Sequence, residues 1–157
     1  ITPAVVMAAD LTIGNQLASV NGITSSGNLG MALVVATGRS TAQIAAVASV
    51  STFTVGAADG SFQVSANVNV TTSTIHDFTV TCAYTDEGNT ARTLTLGFTQ
   101  LPGATFLTNI TAVTGAGPYE SPVYHLRCKS ATAITVATTG TFTTVTYNVE
   151  GIIKQVN

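Results

Sequence analysis

A chain of 157 residues can bury one core, and its net charge of −2, with only 8% charged residues, offers neither a basic field for nucleic acid nor an acidic tail. Mean hydropathy is high at +0.42, yet no apolar run approaches the roughly 18–20 residues of a membrane-spanning helix. Few charges without a span imply that subunits cover one another's surfaces. Abundant Thr and Val with no Trp suit a pleated, half-buried surface, so the default class is all-β.

The chain opens at Ile1, which reads as a processed product or the ordered part of a longer polypeptide. Residues 1–40 are punctuated by Gly14, Gly22, Gly27, Gly30 and Gly38 with Asn15, Asn21 and Asn28. Such spacing predicts an extended arm for attachment or subunit contact, with Met31–Ala36 its best strand. Residues 41–157 form the folded domain. Ala42–Ser49 has helix-forming alanines, but Val47, Val50 and Phe53 carry it into a strand.

From there strands are expected at about 44–55, 61–71, 76–85, 91–100, 105–113, 123–129, 132–138 and 142–155. Phe62, Val64, Ala66, Val68 and Val70 alternate with Gln63, Ser65, Asn67 and Asn69, which is one buried and one wet face. Phe78, Val80, Cys82 and Tyr84 repeat it, and after Asp86-Glu87-Gly88-Asn89 so do Leu94, Leu96 and Phe98. This is a strand and a hairpin in an antiparallel setting. At the end, Val145, Tyr147, Val149, Gly151 and Ile153 take one face and Thr146, Asn148, Glu150 and Lys154 the other. So long and regular a last strand belongs at the centre of its sheet. Eight such strands fit an antiparallel two-sheet jelly-roll sandwich with an extended N-terminal arm.

Asp59-Gly60-Ser61-Phe62, the run Tyr84–Phe98, the loop Gly115–Glu120 and the ending TGTFTTVTYNVEGIIKQV carry a resemblance. They look like a domain of tailed-bacteriophage virion surface proteins, itself similar to the trimeric jelly roll of the tumour necrosis factor and complement superfamily. The resemblance covers roughly residues 40–157. It implies a homotrimer on the virion surface, as a capsid decoration or a head- or tail-fibre protein. The implied partners are the major capsid protein or other virion proteins, and a host-surface receptor.

No constellation of catalytic residues accompanies this, and the expectation is a non-enzymatic chain without cofactor or metal. Cys82 and Cys128 share the inward register of their strands. They can form a disulfide worth ~2–4 kcal/mol; assembly in a reducing cytoplasm, as the resemblance implies, favours buried thiols instead. His76 and Asp77 point to opposite faces, so they make no dyad, and His76 is expected to face solvent or a subunit contact; His125 has no nucleophile elbow with it. Asp86, Glu87 and Asn89 lack the spacing of a calcium loop and read as a hairpin turn, with Arg92 nearby. Nor do Asp86 and Glu87 make a glycosidase pair, there being no Trp platform.

Gly115-Ala116-Gly117-Pro118-Tyr119-Glu120 lacks the Lys-Ser/Thr ending of a phosphate loop. It reads as a connection with Tyr119 exposed or docked on a neighbour, and Tyr119 and Glu120 are the candidate binding loop. Asn69-Val-Thr71 and Asn109-Ile-Thr111 match the glycosylation pattern in strand-like runs of a Thr-rich chain. Phe53, Tyr124 and Tyr147 are the expected subunit-interface residues. Two other readings compete with the trimer: a fibre tip binding a host receptor or glycan, and a pilus-like filament. In the filament, Ala4–Ala9 or Met31–Ala36 would complete the sheet of the next subunit.

Overall fold

Two very long strands run through the computed structural model, which describes residues 32–101, 106–111 and 115–156, with backbone only at 73–75. In chain order the strands are β1 (Leu33–Gln43), β2 (Ser51–Thr54), β3 (Gly60–Thr85), β4 (Ala91–Leu96), β5 (Phe98–Gln100), β6 (Phe106–Leu107), β7 (Ile110–Thr111), β8 (Gly117–Glu120), β9 (Tyr124–Cys128) and β10 (Ala133–Val156). The described residues contain no helix. The fold is all-β: one antiparallel sheet, ordered β1-β10-β3-β8-β5-β6, with β2 on β10 and β4, β7 and β9 on β3.

The expected pairs 61–71 with 76–85, and 132–138 with 142–155, are each a single strand. Thr71, Thr72, Ser73, Thr74 and Ile75 contain no Gly or Pro to end a strand, so β3 runs on for 26 residues. In β10, Gly140 bends the strand instead of ending it. Its φ is +137°, and a Cβ there would collide with the Asp77 carbonyl and the Phe78 backbone. Other expected strands are broken further. The 91–100 stretch divides at Gly97, and 105–113 keeps only β6 and β7 among the described residues. Residues 44–50 are irregular, while β1 takes in most of the stretch read as the best strand of the arm. The expected arm boundary at 40 thus falls inside β1; residues 1–31, with Ala4–Ala9, lie outside the described residues.

β3 and β10 pair along nearly their whole lengths, from Ala83 opposite Thr135 to Ser61 opposite Val156. A straight strand of β3's length would span about 85 Å at roughly 3.3 Å per residue. Instead its first residue, Gly60, and Asp86 just past its end both pair with Cys128. The sheet is therefore folded over at mid-length and curled into a half-barrel. Bulges between Thr141 and Tyr147 mark the fold line, as bulges do where a strand turns sharply. They shift the register by one residue: Val136 faces Cys82, whereas Val149 faces Val68. The buried positions of β10 accordingly change from 134, 136 and 138 to 145, 147, 149, 151 and 153, while those of β3 stay even.

The core lies inside the curl. Phe62, Val64, Val68, Phe78, Val80 and Cys82 of β3 meet Ile134, Val136, Tyr147, Val149 and Ile153 of β10, with Leu96, Phe98, Ile110 and Tyr119 filling between. The two halves of β10 approach closely at Gly151, where a Cβ would lie 2.6 Å from Ser51 Oγ and 3.1 Å from Val136 Cγ1. The alternation expected over residues 145–154 holds: Val145, Tyr147, Val149, Gly151 and Ile153 are buried, and Thr146, Asn148, Glu150 and Lys154 are not.

Candidate functional site

The outer face of the half-sheet that holds residues 60–70 of β3 and 147–156 of β10 carries a polar trough of about 220 Å³. Strand pairing builds it in rows. Arg39 of β1 stands opposite Glu150 of β10, Glu150 opposite Asn67 of β3, and Asn67 opposite Glu120 of β8. The neighbouring row sets Asn148 opposite Asn69 and Asn69 opposite Pro118. Period-two alternation sends all of these side chains outward, while Val68, Val149 and Tyr119 between them form the floor.

One corner of the trough is fixed by backbone geometry. β1 is irregular between Ser40 and Gln43, and Ala42 adopts φ +53°. That turn aims the Ala42 N–H at Asn148 Oδ1, 2.8 Å away, leaving the amide NH₂ of Asn148 to face outward. Arg39, Asn67, Asn69, Glu120 and Glu150 make no side-chain hydrogen bond or ion pair with another described residue. The trough thus presents guanidinium, amide and carboxylate groups whose hydrogen-bonding capacity is free.

The candidate binding loop is split by this geometry. Residues 117–120 form β8, not a connection, and the expectation for Tyr119 is corrected: its side chain is fully buried, with the hydroxyl donating to the Gly115 carbonyl at 2.7 Å. Glu120, on the opposite face of the same strand, lines the trough. Of the expected interface residues, one is turned wholly into the chain and two are half-buried. Tyr147 is fully buried in the chain's own core. Phe53 packs at a tilt on Phe62, 5.6 Å between ring centroids, and the half-buried Tyr124 accepts a 2.7 Å hydrogen bond from the Gly97 N–H. An apolar alternation marks a covered face without saying what covers it, and here much of the cover is the second half of the same sheet.

His76 is corrected too. Because β3 does not start there but runs through, His76 keeps the inward register of Phe78 and is buried, its ring 5.7 Å from that of Phe78. Burial pushes its pKa below the ordinary 6.5, against the opposing pull of the Asp77 charge. Asp77 faces the other way and accepts from Asn109 Nδ2 at 2.9 Å.

Cys82 and Cys128 are both free and buried. Burial raises the Cys82 thiol to about 12, with Cys128 adding to the rise, and the Cys128 thiol to about 11. These are not nucleophiles.

The Asp86 turn joins β3 to β4. Asp86 Oδ1 accepts from the Thr90 N–H at 2.8 Å and Oδ2 from Arg92 Nε at 2.7 Å, while Asn89 takes the left-handed position at φ +62°. Beside it Arg127 reaches Glu87 at 2.9 Å and Lys129 reaches Asp59 at 3.3 Å. Among the described residues no cluster of His, Cys, Asp and Glu is arranged to hold a metal ion.

The trough residues Arg39, Asn67, Asn148 and Glu150 were not singled out from sequence, and Asn69 only as part of a glycosylation-pattern match. Alternation alone puts four of them on wet faces; what brings them together is pairing between strands more than 75 residues apart. No protein family and no curated protein matches the chain. Among solved structures it is similar to "Structure of infectious bursal disease virus Gx strain", at 14% identity and a TM-score of 0.26, over 86% of this chain and 43% of that one. At that level the likeness bears on neither fold nor role.

Proposed function

We propose that this chain is a non-enzymatic structural protein of a phage particle, a homotrimeric jelly-roll protein that decorates or stabilises the virion surface. The observation that carries the assembly part of the reading is the distribution of charge. Six of the charged residues pair off at one end as Asp86–Arg92, Glu87–Arg127 and Asp59–Lys129. Elsewhere Val34, Ile44, Leu101, Phe106 and Val123 are exposed, several of them on or beside the outermost strands β1 and β6. Edges poor in charge and rich in exposed apolar side chains are what subunit contacts use. The curled antiparallel sheet is compatible with a jelly roll, and the virion assignment rests on the resemblance of the 84–98 and 115–120 runs.

A strand-donating filament subunit is the second reading. It is favoured by β1, an 11-residue strand that among the described residues pairs on one side, with β10. Such an edge accepts a further strand readily.

Light scattering behind size exclusion, at two protein concentrations, tests both. A trimer mass at both concentrations is the expected result. A monomer at both overturns the trimer, and open, polydisperse polymers transfer the argument to the filament.

A further inference from the structure

We propose that the trough formed by Arg39, Asn67, Asn69, Glu120, Asn148 and Glu150 binds a neutral, polyhydroxylated ligand, a short oligosaccharide. The inference is independent of the assembly reading and concerns the face of the sheet, not its loops.

Chemistry and spacing select the ligand class. Glu120 and Glu150 lie on strands separated by β3, with Asn67 between them in the row. Two strand spacings put their backbones about 9.5 Å apart. Two carboxylates are few oxygens for a divalent cation, which takes roughly six or more, and among the described residues no group of three or more His, Cys, Asp and Glu could hold one. An anion is disfavoured as well, since one guanidinium faces two carboxylates.

What remains is a set of donors and acceptors in alternation. Asn amides donate and accept, Arg39 only donates, and the two glutamates only accept. Sugar hydroxyls do both, so each finds a counterpart along the row. From Arg39 to Glu120 the row crosses three strand spacings, about 14 Å, the length of a short oligosaccharide. Exposed Pro118, in the adjacent row, offers an apolar patch for the C–H face of a ring. The Ala42 hydrogen bond holds Asn148 in place before any ligand arrives, which lowers the ordering cost of binding.

The test is a titration of the ¹⁵N-labelled full chain with maltotriose, cellotriose and acetylated chitotriose at millimolar concentration, following the side-chain amides of Asn67, Asn69 and Asn148. Saturable shifts with at least one sugar are expected, weakened about tenfold in Asn67→Ala and in Glu150→Ala, the loss of one or two hydrogen bonds. Both positions face outward, and an otherwise unchanged amide spectrum confirms that the variants fold. Amides that stay still with every sugar overturn the proposal. So do shifts that persist undiminished in both variants, or amides that respond to calcium chloride and not to sugar.

Discussion

The fold line and the charged end stand at opposite ends of the same bent strand pair, and they are held in opposite ways. At the fold line Phe78 stacks on Phe142, 5.1 Å between centroids, and tilts against Tyr147 at 4.8 Å. A chain of hydrogen bonds then ties the irregular 44–50 segment to β10. Val47 N–H donates to Thr138 Oγ1, Thr138 shares a 2.8 Å bond with the Tyr147 hydroxyl, and that hydroxyl donates to the Ala45 carbonyl. Since the tyrosine has one proton and gives it to Ala45, the Thr138 hydroxyl must be the donor to it. The charged end has three ion pairs instead, all between solvated side chains. Burial makes each contact at the fold line count, whereas water screens those at the charged end.

The largest effect is expected where the aromatic cluster is emptied. Phe78→Ala removes a fully buried ring that packs on both Phe142 and Tyr147 and should cost about 3–5 kcal/mol in urea denaturation. A loss below about 1 kcal/mol, the size expected of a surface change, would break the contrast between the two ends. Tyr147→Phe keeps the ring and removes the hydroxyl, leaving the Thr138 hydroxyl and the Ala45 carbonyl short of a partner. The expected cost is about 1–3 kcal/mol. Thr138→Val should weaken the relay without adding fully to it, because both changes break the same bond.

The fold line also shows where sequence reading stops. Alternation in β3 and β10 is legible residue by residue, because one face of each strand is buried and the side-chain period is two. The fold-over is not legible, since Thr71–Ile75 and Gly140 look like loops between strands when read alone. Only the pairing of the two strands through the bulges shows that the chain bends without breaking. The same gap hid the trough. Asn67, Asn69, Asn148 and Glu150 are visibly on wet faces, but nothing local says that residues near 69 and 148 become neighbours. Tyr119 failed for another reason: four residues of β8, bounded by glycine and serine, are too short for a period to register.

Acid should act first at the fold line. The folded-state pKa of His76 lies below its ordinary 6.5, so the unfolded chain binds the proton more readily. Stability is therefore complete above about pH 6.5 and declines as pH falls through that value toward the folded pKa. Urea midpoints measured across this range should drop in the wild type and stay level in His76→Gln. Equal slopes for the two proteins would remove His76 from the account.

The smallest effects belong to the charged end, and there the three acids are not equivalent. Glu87 only pairs with Arg127, both side chains more than half exposed, so Glu87→Gln should leave the urea midpoint unchanged. Asp86 does two things: it pairs with Arg92 and it closes the turn through the Thr90 N–H, and both contacts hold its carboxyl below the usual range. Its contribution is present above about pH 3.8 and fades as pH falls through the lowered pKa. Arg92→Met breaks only the ion pair, and whatever it costs should vanish in high salt. Asp86→Asn keeps an oxygen able to accept from Thr90, while Asp86→Ala does not. A salt-insensitive gap between the Asn and Ala variants would therefore locate the value of Asp86 in the turn. If that gap closes in salt, the charged end is held by charge alone, and its contrast with the fold line is sharper still.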